Sequence, residues 1–385
     1  MIDKKKMPLA IGVAFVAFTT QFGGGFASGA QIYQYFMNYG IWAFLMPFIA
    51  QFLLALFFWY GLRYAYRHKT YDYRRFSDSF YGKYRVIFSN LYEIVYLMLI
   101  CLAPAVAFAT GGSTLNTLTG IPYWACTLII GAFIFVIALY GTEIVRKCAS
   151  TLSVIIIIGL LVVLIPNIVA QWGTITDSVG QMAQGALPVC SKESGSFGGA
   201  LWTAIVYFLF QLASIGLMYQ HTEPLTDEKQ VTKSAVYMFL VNTITMMLAV
   251  VGMAAIAFNS GLKDASVPML LLVQNGVGAS FLTPVISILI ILGAVSTGVN
   301  MIAGIVTRTV NAVERKKSTE EAKKGHMARS TAASLIFTLL AFGIAQFGLL
   351  PLVKVGYSYL GYATLIGVGI PFVVHAVYTK VKGTK

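Results

Sequence analysis

Long apolar runs follow one another through almost the whole of this 385-residue sequence, and no polar stretch between them is long enough to fold as a separate soluble domain. The runs lie at about 8–38, 40–62, 86–111, 121–140, 144–166, 199–221, 234–258, 280–312, 328–348 and 350–379. A helix needs ~20 apolar residues to cross the hydrocarbon core of a bilayer, and each run is of about that length or longer. In lipid every backbone N–H and C=O must be satisfied internally, so runs of this length read as helices. Charged residues make up 11% and mean hydropathy is +0.77, whereas a soluble domain carries about 25% charged residues. The expected class is an all-α membrane protein with ten transmembrane helices, forming one transmembrane domain over residues 1–385.

The net charge of +13 does not point to nucleic acid. With the N-terminus, which carries Lys4, Lys5 and Lys6, on the cytoplasmic side, all 27 Lys and Arg residues except Lys192, Lys263 and Lys354 fall on that side. This is the positive-inside bias of short loops. Both termini are therefore expected in the cytoplasm, and the location is a multi-pass cell membrane, of the bacterial inner-membrane kind. Residues 63–85, "RYAYRHKTYDYRRFSDSFYGKYR", mix aromatic and basic side chains as a short helix at the inner interface would. Residues 314–329 read as a solvated helix, and residues 167–198 as an outer loop with re-entrant or surface helices. Cys101, Cys126, Cys148 and Cys190 have no metal-ligand spacing and read as packing residues and a loop thiol.

Ten runs divide into two sets of five, about 8–166 and 199–380, and an odd number inverts the second set relative to the first, as in many transporters. The first run of each set is interrupted. In "TTQFGGGFASGAQ", residues 19–31, three glycines follow about a dozen apolar residues; in residues 200–222, "ALWTAIVYFLFQLASIGLMYQHT", Gln211, Ser214 and Gly216 interrupt in the corresponding place. A signal-peptide reading of the first interruption would remove one run and the pairing with it. A nucleotide loop fails because Ser28 stands where a third glycine would be, with no lysine after it. Gly25 and Gly29, four apart, also suit close helix packing. The preferred reading is an unwound segment lining a cavity. N–H groups near Gly24 to Phe26 would attract an anionic group, and carbonyls from Thr19 to Phe22 a cation. Run 8, "ILGAVSTGVNMIAGI", adds the hydroxyls of Ser296 and Thr297 beside the Ala294 carbonyl, enough oxygen for a sodium ion. The plain alternative is that these hydroxyls only hydrogen-bond the preceding turn.

These features resemble the LeuT fold of the amino acid–polyamine–organocation superfamily. "GGGFASGAQIYQYF" further resembles the YkvI-type family of amino-acid permeases, which typically show GxGFASGxE in the first helix; here Gln31 stands where an acidic residue is common. The resemblance implies a sodium site from Thr19, Phe22, Ala294, Ser296 and Thr297. It also implies a substrate site from Gln21, Gly23, Gly24, Gly25, Tyr96, Phe208, Gln211 and Ser214. In run 5 only Arg146 and Lys147, at its cytoplasmic start, are basic, which favours sodium over the lysine-mediated mechanism of some relatives.

Glu93 is the one acidic residue well inside a run, and such carboxylates default to a functional role. It reads as an inner gate paired with a cytoplasmic Arg or Lys, or as a residue for proton coupling or for a cationic substrate. Pro104 should kink run 3, and His375 reads as a packing or interfacial residue. The expected function is a sodium-coupled symporter of an amino acid or related small zwitterion or amine, working by alternating access. The alternatives are proton coupling through Glu93 and, further off, a channel, which the lack of intramembrane charge rings disfavours. His221, His375 and Glu93 form no catalytic constellation, so no enzyme and no cofactor beyond the coupling ion are expected. The expected partners are a small-molecule substrate and the bilayer, with the oligomeric state open.

Overall fold

The computed structural model describes residues 8–140, 142–189, 191, 193–314 and 319–381. Lys4, Lys5, Lys6, Cys190 and Lys192 lie outside the described residues, as do the side chains of Arg146, Lys147 and Cys148. Among the described residues the chain is helical with no strand.

The first apolar run is cut into α1 (Leu9–Gln21), α2 (Gly24–Ala27) and α3 (Ala30–Tyr35), followed by a 3₁₀ stretch, Met37–Phe44. Helix α4 (Met46–His68) begins with Pro47 in its first turn, where a missing N–H costs nothing. The basic loop forms α5 (Tyr73–Phe80), capped by Asp72, whose side chain accepts from the Arg75 N–H at 2.8 Å. Its Phe76 and Phe80 are buried while Arg74 and Arg75 are exposed, so the expected short helix is present with one apolar and one basic face. Helix α6 (Arg85–Thr119) runs unbroken through Pro104, and α7 (Tyr123–Tyr140) and α8 (Thr142–Ala170) follow. A 78° bend after α8 leads into α9 (Trp172–Ala183), the helix of the long loop.

The second half opens with α10 (Phe197–Leu212), capped by Ser196 and continued as 3₁₀ turns at Ala213–Leu217 and Tyr219–Thr222. Then come α11 (Glu228–Ala254), α12 (Pro268–Gln274), α13 (Ala279–Glu314) and α14 (Thr319–Ala345). Residues 319–329 are the first turns of α14 rather than a separate solvated helix. The last run, Leu349–Val381, is α15 (Leu349–Pro351), α16 (Tyr357–Thr364) and α17 (Ile370–Val381), joined by π-helical turns.

Among the described residues, eight helical runs are long and apolar enough to cross a membrane, or nine if bent α8–α9 counts as one. The expected count was ten. The difference lies at the first run, where the break leaves α1 with 13 residues, too few to span alone. Helices α6, α10 and α13 are the most buried, and α6 packs on α13. Glycines let α7 approach both α6 and α13: a Cβ at Gly112 of α6 would lie 2.3 Å from Thr127 of α7, and one at Gly298 of α13 would lie 2.7 Å from Ile134 of α7. Helices α7 and α14 are peripheral, presenting Ile129, Phe133, Ile336 and Leu339 outward as a lipid-facing surface requires.

Candidate substrate and cation site

The glycine run stops α1 with backbone geometry that a helix does not tolerate. Phe22 leaves the helical region (φ −103°, ψ 55°), and Gly23 is extended (φ −77°, ψ −162°). Helix α2 then makes a single turn before Gly29 reverses the chain at φ +81°, a conformation that glycine adopts without steric cost. The Ser28 carbonyl accepts from the Met269 N–H of α12 at 2.9 Å, pinning this second bend. A helix end leaves its last carbonyls and first N–H groups without helical partners. Among the described residues no backbone donor reaches the carbonyls of Thr19, Thr20 or Phe22, and the N–H groups of Gly24 and Gly25 find no backbone acceptor.

Helix α13 closes on this break. A Cβ at Gly24 would stand 2.9 Å from the Ala294 Cβ and 2.9 Å from Thr110, and one at Gly23 would stand 2.5 Å from the Thr297 Oγ1. Thr297 donates its hydroxyl proton to the Gly293 carbonyl at 3.0 Å. That is the plain alternative for the hydroxyl, yet its oxygen keeps lone pairs beside Gly23. Thr19 donates to the carbonyls of Phe15 and Val16.

The interruption of α10 is of another kind. Leu212 and Ala213 keep helical dihedrals, and the helix only tightens into 3₁₀ turns. What this segment contributes is side chains. Gln211 donates from Nε2 to the orphan Gln21 carbonyl at 3.1 Å and to the Tyr207 hydroxyl at 3.0 Å. Tyr207 donates onward to the Gln31 Oε1 at 3.4 Å. The side chain of Gln21 faces the other way: its Oε1 accepts from Asn242 of α11 at 2.6 Å, and Asn242 also donates to Gln51 of α4 at 3.2 Å. All five amides are buried, so they hold one another because each would otherwise be left unsatisfied.

Between the two segments lies a cavity with an empty volume, its open mouth included, of ≈ 500 Å³. Of the residues expected from sequence, Gln21, Gly23, Gly24, Gly25, Gln211, Ser214 and Thr297 line it. Phe22 forms the break and Ala294 backs Gly24. Thr19 is partly buried one residue before the lining residue Thr20, and Ser296 is partly exposed and outside the lining. Phe208 also lies outside, against Phe57 of α4 with ring centroids 5.2 Å apart; its neighbour Phe210 lines the cavity instead. Tyr96 faces away, stacked on Tyr73 of α5 at 4.5 Å, and α6 contributes Leu99, Ala103, Val106 and Ala107. Both displacements follow from helical rotation, which sequence position alone leaves undetermined.

The lining residues Leu99, Ala103, Val106 and Ala107 of α6, Met301, one turn beyond Thr297, and Tyr357 were not singled out from the sequence. Gln31 was noted only for not being acidic, yet it lines the cavity beside Gly25. The amides Gln51 and Asn242 carried a usable signal, being uncharged polar side chains within apolar runs.

One to two turns toward the basic ends of α6 and α13, the cavity meets an ionic cluster. Arg308 of α13 pairs with Glu93 of α6, and Tyr73 of α5 donates to the same carboxylate. The guanidinium lies 5.0 Å from the Tyr73 ring centroid and 5.4 Å from that of Tyr96. Burial first, and then the Glu93 carboxylate, push the Tyr73 hydroxyl well above its usual range, so it stays a donor. The 3₁₀ segment leans on the cluster: a Cβ at Gly216 would lie 3.0 Å from the Tyr92 hydroxyl and 3.2 Å from the Tyr73 Cβ. Beyond it, burial lowers the His221 imidazole to about 4. His375 accepts or donates with Tyr60 at 2.7 Å.

No family model matches the sequence, and no curated protein matches it. Among solved structures it is similar to a sodium-coupled sialic acid symporter in a substrate-bound, outward-open state. The TM-score is 0.60 at 13% sequence identity, over 94% of this chain and 79% of that one. The likeness is one of fold: this chain has the helical fold of a sodium-coupled symporter.

Proposed function

We propose that the chain is a sodium-coupled secondary transporter of a small amino acid or related zwitterion, of the YkvI-type permease kind that residues 19–36 resemble. The observation that carries the reading is the cavity at the Phe22–Gly23 break, walled on one side by α13 through Ala294 and Thr297. Hard cations of low charge take oxygen ligands. The unpartnered carbonyls of Thr19 and Phe22, with the Thr297 hydroxyl and oxygens near Ala294 and Ser296, are a donor set suited to sodium. The fold shared with a sodium-coupled symporter supports the same reading.

In this cycle sodium ties α1 to α13 and holds the inner side closed. Substrate enters between α2 and the Gln211 segment, and its carboxylate takes the N–H groups of Gly24 and Gly25. Release of sodium into the cytoplasm frees α1 from α13. The Glu93–Arg308 pair, capped by Tyr73, is the inner gate that must part before substrate leaves. The Glu93 carboxylate is engaged by Arg308 and Tyr73, as a gate requires, and is not among the residues lining the cavity, which sets the sodium reading above the proton one.

Proteoliposome counterflow tests the proposal. Uptake should saturate and should require an inward sodium gradient, and Glu93→Gln should slow transport without altering its pH profile. Non-saturating flux would mark a channel, and pH dependence abolished by Glu93→Gln would transfer the coupling role to that carboxylate.

A further inference from the structure

Among the described residues none that lines the cavity is ionised: its polar lining is amides, hydroxyls and backbone. The hydrogen-bond chain orients two of the amides. Gln211 donates to the Gln21 carbonyl, which only accepts, so the contacting atom is Nε2 and Oε1 is the other end. Tyr207 accepts from Gln211, and its own O–H, which finds no other acceptor among the described residues, donates to the Gln31 Oε1. A buried hydroxyl proton without an acceptor is costly, which sets this amide orientation. The Gln31 Nε2 and the Gln211 Oε1 have no hydrogen-bond partner among the described residues, although both side chains are more than nine-tenths buried. Gln31 Nε2 stands 3.0 Å from where a Cβ on Gly25 would be. The cavity thus offers one free donor on the α3 side and one free acceptor on the α10 side.

We infer that this site selects net-neutral substrates, with Gln31 donating to a substrate oxygen and Gln211 accepting from a substrate N–H. The inference rests on the transporter reading and narrows it. A zwitterion with an uncharged side chain carries its own compensation and meets both amides. A molecule with one further charge brings that charge into a low-dielectric space whose lining has no ionised side chain to pair with it, which is costly. Gln31 is the specificity-determining position, because Gln31→Glu keeps the volume and supplies the missing negative charge.

The test is ligand-induced thermal stabilisation of the purified full chain in sodium chloride. The probes are serine and glutamine as neutral zwitterions, lysine and arginine as cations, and glutamate and N-acetylneuraminate as anions. The wild type should respond to a neutral probe, with charged probes at least about 100-fold weaker. Gln31→Glu should gain a response to lysine or arginine and lose at least about tenfold for the neutral probe. Gln31→Met, which keeps volume without charge, should lose the neutral response and gain none, and it covers the case in which the acidic variant does not fold. A wild type that binds lysine or N-acetylneuraminate as tightly as serine overturns the inference and leaves the transporter reading intact. A wild type that responds to no probe of any class removes the substrate reading of the cavity, and the inference with it.

Discussion

The two interrupted segments face each other across one cavity and do opposite work. At the first, residues 22–29, the backbone itself leaves the helix and keeps unpaired groups: an extended Gly23, a single turn of helix and a left-handed Gly29. At the second, residues 211–222, the backbone stays helical and only tightens, and polar side chains reach across. One supplies carbonyls and N–H groups, the other the amide that caps a stray carbonyl. Two breaks in corresponding runs need not be equivalent, and a glycine in each need not serve the same purpose.

The sharpest way to break this contrast is to add one methyl group at each segment. Gly24→Ala meets Ala294 Cβ at 2.9 Å and Ala294 Cα at 3.0 Å, and backbone on α13 cannot yield. Overpacking of this kind costs roughly 1–3 kcal/mol. Uptake should fall to background and the melting temperature should drop. Gly216→Ala meets the end of the Tyr92 side chain at 3.0 Å and the Tyr73 Cβ at 3.2 Å, contacts that shift by a few tenths of an ångström. Its uptake should stay within a few-fold of wild type. Equal damage from the two substitutions would mean that the segments are equivalent after all.

Next in size is Gln211→Leu, which removes the side-chain contribution of the second segment. It strips the donor from the buried Gln21 carbonyl and from Tyr207, and an unsatisfied buried polar group costs about 1–3 kcal/mol. Thermal unfolding should show a loss in that range, with substrate-dependent stabilisation lost as well. Unchanged stability would mean that water takes over the carbonyl.

The smallest effect belongs to His221, at the far end of the second segment. Burial holds its imidazole neutral, with a pKa lowered to about 4 from 6.5. A depressed folded-state value means that the unfolded chain takes up the proton first. The stability tied to neutral His221 is present above pH 6.5 and is lost as pH falls toward 4. His221→Asn should flatten the melting-temperature slope over that window relative to wild type; an identical slope would show that other groups set it.

Much of this was legible in the sequence, for uneven reasons. Three consecutive glycines in an apolar run announce a break, and the extended Gly23 is where that pattern puts it, whereas Gly29, read for close packing, proves to be a second bend. "QLASIG" carries a weaker message, because amide and small residues permit either a break or a tightened helix, and the packing of Gly216 on Tyr73 and Tyr92 selects the latter. Site residues on broken backbone were readable because position alone defines them. Tyr96 and Phe208, on intact helix, were not, since a rotation of about 100° per residue decides which side chain meets the cavity. The amide chain from Gln31 through Gln211 to Asn242 and Gln51 joins four distant stretches, and no local pattern shows which of them meet.

The most direct test of the account is a sodium titration of the melting temperature against equal ionic strength of potassium, for wild type and Thr297→Ala. A bound ion stabilises the folded state by mass action. The account predicts a rise in sodium beyond that in potassium for the wild type, and no such excess once the hydroxyl beside Gly23 is gone. Equal curves in sodium and potassium for the wild type, or an undiminished sodium excess in Thr297→Ala, would contradict it.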